Sequence, residues 1–257
     1  KTLTVRGAPA IGIAAAYGIL LGLEHAGLEE INRVFDSRAS ELVNARPTAV
    51  NLAWALNRML SCQKANRTNP NIYQCLLREA KFIHQSDRES CRAIGENGLE
   101  LVRKHPNILT HCNAGSLAVS ELGTALAPIY IANEQGNNVH VFVNETRPLL
   151  QGARLTAFEL SRNGVPCTLI SDNMAAHIMS EGKIDIVITG ADRIAANGDA
   201  ANKIGTLSIA IAAKYFRIPF YIAVPLSTID CSTISGSDIL IEERDGNEVT
   251  HFRGTRI

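Results

Sequence analysis

From Asn107 onward, five short runs rich in β-branched and aliphatic residues alternate with helical patterns. That alternation restricts the fold more than any other feature of the chain. The runs cover residues 107–111, 139–143, 166–170, 184–188 and 219–224, with helices predicted over 116–134, 148–162, 174–181 and 200–216. Near-continuous apolar strands interleaved with helices specify a parallel sheet covered on both faces. Right-handed crossovers then bring all five strand tips to one edge.

Before this region the periodicity is helical. Residues 10–25 are small and apolar, and residues 28–44 and 48–62 repeat apolar side chains at spacings of three and four. Pro47 falls in the first turn of the third segment, where its missing N–H costs nothing. A further helix is expected from Asn69-Pro70 to Lys104 with one break, closed by Pro106. The expected class is therefore α/β: a mainly helical N-terminal domain over residues 1–105 and a Rossmann-like domain over 106–257.

Bulk properties narrow the function. With 257 residues, 46% of them hydrophobic, the chain has ample core material. Its 25 basic and 25 acidic residues cancel, so no nucleic-acid or anionic-membrane partner is expected. The apolar run over residues 8–23 is interrupted by Pro9, Gly12, Gly18 and Gly22, and reads as a buried helix rather than a membrane span. The six cysteines form no C-x-x-C pair and match no zinc framework, which points to reduced thiols in a cytoplasm. The chain opens on Lys1-Thr2-Leu3-Thr4 without Met and ends at Arg256-Ile257. We therefore expect both natural ends, N-terminal strands included, to lie beyond it.

Polar residues collect at the predicted strand tips. Strand four runs through Ile188-Thr189-Gly190-Ala191 into Asp192-Arg193. Strand one runs through Thr110-His111 into Cys112-Asn113-Ala114-Gly115. Active sites of open α/β sheets lie beyond such tips. A thiol at Cys112, just before an expected helix start, would have its pKa lowered by the helix dipole; the plainer reading is a small buried hydrophobe. Asp192 reads as a general acid/base whose pKa a closed apolar site would raise, or as a helix cap or partner of Arg193. Strand alternation turns His111 away from Cys112, so a Cys–His pair is not expected.

Other segments suit an anion. Arg6-Gly7-Ala8-Pro9 enters a helix, where small residues expose backbone N–H groups and Arg6 adds a positive clamp, although packing alone also explains such a start. Arg46, before Pro47, and Gln151 are further polar candidates that could equally be solvated. Asn202-Lys203 is expected to open the last long helix, where Lys203 could meet a phosphate or simply face water.

Together these segments resemble the methylthioribose-1-phosphate isomerase family. That family belongs to a superfamily with ribose-1,5-bisphosphate isomerases and the regulatory subunits of translation initiation factor 2B. The resemblance rests on residues 5–12, 45–52, 110–115, 145–154, 172–176, 190–199 and 202–206, and covers nearly the whole chain. It implies isomerisation of 5-methylthioribose 1-phosphate to 5-methylthioribulose 1-phosphate in methionine salvage. Cys112 and Asp192 match the family's catalytic pair. Arg6, Gly7, Ala8, Arg46, Gln151, Asn202 and Lys203 match its substrate-binding positions. No metal or organic cofactor is implied, and a homodimer is. The alternatives are a ribose-1,5-bisphosphate isomerase, which would need extra cations where the methylthio tail lies, and a non-catalytic regulatory subunit. Subunits of that kind do not keep the Cys plus Asp pair.

Overall fold

A computed structural model of the chain describes residues 5–43, 45, 50–252 and 254–256. Four helices come first: α1 (Ala8–Gly18), α2 (Leu28–Leu42), α3 (Val50–Ala65) and α4 (Ile72–Lys104). The predicted helix over 48–62 starts among undescribed residues, and Pro47 lies outside the described ones. Ile19, Phe35, Leu56 and Ile72 pack together as the core of this half.

The expected break in the fourth helix is not there: α4 is continuous for 33 residues, roughly 50 Å at 1.5 Å per residue. Gly95 and Gly98 mark a contact instead. A Cβ on Gly95 would stand 2.6 Å from Ile131 Cδ1, and one on Gly98 2.9 Å from Pro128 Cβ. Their missing side chains let α5 (Ala127–Glu134) lie close against α4. Through Ile72 at one end and Val102 at the other, α4 contributes to the cores of both halves.

The strands β1 (Asn107–Thr110), β2 (His140–Asn144), β3 (Cys167–Ile170), β4 (Ile186–Thr189) and β7 (Phe220–Ile222) pair in the order β3-β2-β1-β4-β7, all parallel. Each central strand is apolar on both faces. On one side Ile108, Val141, Ile186 and Ile188 pack with Ile129 of α5. On the other, Leu109 and Val187 pack with Ile178 of α7 (Ala175–Ser180) and Ile209 of α8 (Thr206–Phe216). This double cover explains why the strands read as continuous apolar runs rather than alternating ones.

The first helix ends at Gly18 rather than near residue 25, and in the sheet half three predicted helices are shorter than expected, each for a local reason. In residues 116–126 only Ser116–Ala118 forms a 3-10 turn, because the chain folds back so that Thr124 N–H donates to the Ala114 carbonyl at 2.8 Å and Gly115 bridges Gly123. Residues 146–150 form a turn with Thr146 and Leu150 left-handed. The helix there begins with a π turn over Gly152–Thr156 and becomes α6 (Ala157–Arg162). Residues 193–201 are a small hairpin of β5 (Arg193–Ala195) and β6 (Ala200–Ala201), so α8 starts only at Thr206, after a left-handed Gly205.

Candidate active site

Strand order reverses between β1 and β4, and a crevice opens outside the carboxyl ends of strands at such a switch point. Cys112 follows β1 and Asp192 follows β4, one on each side of the reversal. Both line a cavity of about 370 Å³. Arg6, Gly7, Ala8, Gln151, Asn202 and Lys203 line the same cavity. Of the candidate site residues named from sequence, Arg46 lies outside the described residues.

Cys112 is partly exposed and left-handed at φ 65°. Its N–H donates to Thr146 Oγ1 at 2.9 Å and its carbonyl accepts the Thr156 hydroxyl at 2.6 Å. Thr146 is itself left-handed at φ 65°, and its N–H and that of Arg147 donate to the Asp172 carboxylate at 2.8 and 2.7 Å. A β-branched residue at positive φ is strained and persists only where its surroundings hold it. Here a strand tip, a turn and a carboxylate do so.

The expected lowering of the Cys112 pKa is overturned. No helix begins beside it; the nearest is the 3-10 turn at Ser116. Burial dominates and pushes the thiol up to about 11, with Asp192 adding to the rise while Lys203, the Asn113 N–H and Arg6 oppose it. The thiol is therefore neutral at pH 7.

Asp192 is not a helix cap, because β5 follows it. Its N–H donates to the Ala201 carbonyl at 2.9 Å, and this bond seats it at the base of the β5–β6 hairpin. Arg193 pairs with Asp230 at 2.9 Å.

Gly7 sits at φ 90° before α1, and a Cβ there would come within 2.5 Å of the Ala118 backbone. Packing alone therefore requires a glycine at this position. The N-terminus of the 11-residue α1 nevertheless opens on the cavity, where its free N–H groups favour an anion. Asn202 and Lys203 precede α8 rather than opening it: the Lys203 carbonyl accepts from the Thr206 N–H at 3.1 Å and hydroxyl at 2.7 Å. Gln151 is 2% exposed, and its Oε1 has no partner among the described residues. A ligand hydroxyl or amide in the cavity could supply the missing donor.

Further residues shape the site. His111, 1% exposed, bonds the Ile204 carbonyl through Nε2 at 2.8 Å and Asn144 Nδ2 through Nδ1 at 3.2 Å. This is the pattern of a neutral Nε2–H tautomer. Gly205 lies against the ring, so His111 braces the Lys203 loop. Ile241, Arg244 and Val249 also line the cavity, and Arg147 Nη2 donates to the Val249 carbonyl at 2.6 Å. Ile241, Arg244 and Val249 carry no sequence signal, since each acts through tertiary contact. Among the described residues no group of three His, Cys, Asp or Glu side chains could hold a metal ion, and no helix is long and apolar enough to cross a membrane.

The model of the initiation factor 2 subunit family matches residues 4–257. The chain belongs to the initiation factor 2 subunit family. Within that family it is 56% identical to a methylthioribose-1-phosphate isomerase of Bacillus pumilus, over 100% of this chain and 73% of the relative. The crystal structure of 5-methylthioribose 1-phosphate isomerase from Pyrococcus horikoshii matches it with a TM-score of 0.90 and 45% identity, over 99% of this chain and 73% of the other. A family structure described as translation initiation factor eIF-2B, subunit delta, from A. fulgidus matches with a TM-score of 0.83 and 42% identity, over 99% and 75%.

Proposed function

We propose that this chain is an aldose–ketose isomerase that converts 5-methylthioribose 1-phosphate to 5-methylthioribulose 1-phosphate in methionine salvage. The observation that carries the reading is a thiol and a carboxylate lining one cavity from either side of the switch point, with Arg6, Lys203 and the start of α1 lining it too. The close relatives named methylthioribose-1-phosphate isomerase support the choice of substrate.

The chemistry follows from the substrate. Its C1 bears the phosphate, so the ring must open with the phosphate in place. As the bond from C1 to the ring oxygen breaks, that oxygen needs a proton, and Asp192 supplies it. Hydrogen then passes from C2 to C1, and the C2 hydroxyl gives up a proton to become the ketone. Asp192 takes that proton and is restored. A thiol with its pKa near 11 is a poor standing base at pH 7, which favours direct hydride shift over an enediol begun by a Cys112 thiolate. Cys112 then acts as a neutral hydrogen-bonding neighbour of the reacting hydroxyls. Arg6, the Gly7 and Ala8 amides, Arg46 and Lys203 hold the phosphate, and Gln151 and Asn202 the sugar.

We also read residues 106–257 as the catalytic unit and 1–105 as a helical unit before it, working as a homodimer in the cytoplasm. Leu207, Ile211 and Tyr215, 73%, 61% and 79% exposed, form a stripe at fourfold spacing on α8 that a second copy would cover. All six thiols are free, which suits a reducing compartment.

Turnover of 5-methylthioribose 1-phosphate and ribose 1,5-bisphosphate by the purified chain tests the reading. The first is expected to be isomerised far faster. Preference for the bisphosphate, or no turnover with stable capture of translation factors, would overturn it. Deuterium placed on C2 is expected at C1 of the product; its loss to solvent would restore the enediol route.

A further inference from the structure

Behind the Cys112 turn stands a carboxylate that the proposed reaction does not use. Glu159, on α6, is 3% exposed, and its hydrogen-bond partners are an amide and a hydroxyl rather than a cation. Oε1 accepts from Asn113 Nδ2 at 2.5 Å and Oε2 from Ser116 Oγ at 2.7 Å. The turn is built around it: a Cβ on Gly115 would overlap the carboxylate. Isolated buried charge is costly, and charge-assisted bonds to a well-fixed partner are what offset it.

Those bonds determine how Asn113 is held. A carboxylate only accepts, so the Asn113 amide nitrogen must face Glu159. Asn113 Nδ2 also donates to Thr156 Oγ1 at 3.1 Å, whose hydroxyl in turn donates to the Cys112 carbonyl. Both amide hydrogens are thus committed inward. Asn113 lines the cavity, which leaves its carboxamide oxygen as an acceptor for a substrate hydroxyl. The Asn113 backbone N–H faces the Cys112 sulfur.

We propose that Glu159 is a positioning residue which, acting through Asn113, fixes the Cys112 turn and presents the Asn113 carboxamide oxygen to a sugar hydroxyl. The proposal rests on the isomerase reading for its substrate. Arg6, Asp192 and Lys203 face Cys112 from the other elements, and the Tyr130 phenol stands beside Glu159.

The test uses the full chain with Glu159→Gln, Asn113→Ala and the double variant. Kinetics on 5-methylthioribose 1-phosphate, melting temperature and the iodoacetamide alkylation rate of Cys112, followed by peptide mass, are compared from pH 7 to 10. Glu159→Gln is expected to lower kcat about tenfold with KM within about twofold, and to change the Cys112 alkylation rate by about threefold or more. The double variant is expected to be no worse than the poorer single one, because the two residues act in series. Unchanged kcat and alkylation in Glu159→Gln, or losses that multiply in the double variant, would overturn the proposal. Should Glu159→Gln not fold, Asn113→Ala decides: a tenfold loss of kcat at unchanged melting temperature supports the proposal, and wild-type kcat refutes it. If the wild-type chain does not turn over the sugar phosphate, the isomerase reading fails, while the alkylation comparison still judges the hold of Glu159 on Cys112.

Discussion

The backbone N–H of Cys112 donates to Thr146 Oγ1 at 2.9 Å, and both residues are left-handed at φ 65°. Two strained tips, of β1 and β2, thus hold each other in place. Thr146→Val removes the acceptor at nearly constant shape and leaves a buried N–H unpaired. The expected cost is about 1–3 kcal/mol in urea unfolding, with kcat falling more than KM rises. Thr146→Ser keeps the bond and is expected to recover most of both.

Cys112 is expected to alkylate as a thiol of high pKa, its rate climbing with pH towards about 11. Lys203 lowers that pKa and Asp192 raises it, so Lys203→Ala should move the profile to higher pH and Asp192→Asn to lower pH. A profile already level at neutral pH would mean a thiolate and would reopen the base role.

His111 gives stability a pH dependence. Burial holds its folded pKa below the usual 6.5, so the unfolded chain takes up the proton first as pH falls. Its contribution is complete above about pH 6.5 and is lost as pH falls through the lowered folded value. The melting temperature of the wild type should therefore drop more steeply below pH 6.5 than that of His111→Gln. Parallel curves for the two proteins would remove this role.

Gly152 begins the π turn after Gln151, and a Cβ there would overlap the Asn144 carbonyl oxygen. Gly152→Ala is expected to destabilise the chain by about 3 kcal/mol or more. A circular-dichroism melt within a few degrees of wild type would show that the turn can give way.

The sheet was legible because Ile108, Leu109, Ile186 and Val187 are buried on both faces and so form unbroken apolar runs. The tip residues Cys112 and Asp192 followed from that reading, because crossover handedness assigns all strand ends to one edge. Helix boundaries were less legible. Residues 116–126 carry helical composition but are drawn into a fold-back by the Ala114 carbonyl and the Gly115–Gly123 bridge, which are tertiary constraints. The break expected in the fourth helix is absent, and Gly95 and Gly98 mark a close contact with α5 instead. The Cys112 pKa was misjudged for the same reason, since the helix assumed to lower it does not start there. Glu159 left no trace in local pattern, because it acts through Asn113 and Ser116, 46 and 43 positions away, and the alternation that turned His111 from Cys112 did not show its contact with Ile204, 93 positions on.

The most direct test of the account is the kcat/KM of Cys112→Ala on 5-methylthioribose 1-phosphate, with an unchanged melting temperature as the check on folding. A loss of about a thousandfold or more is predicted. Turnover at the wild-type rate would contradict the assignment of this cavity as an active site built on Cys112.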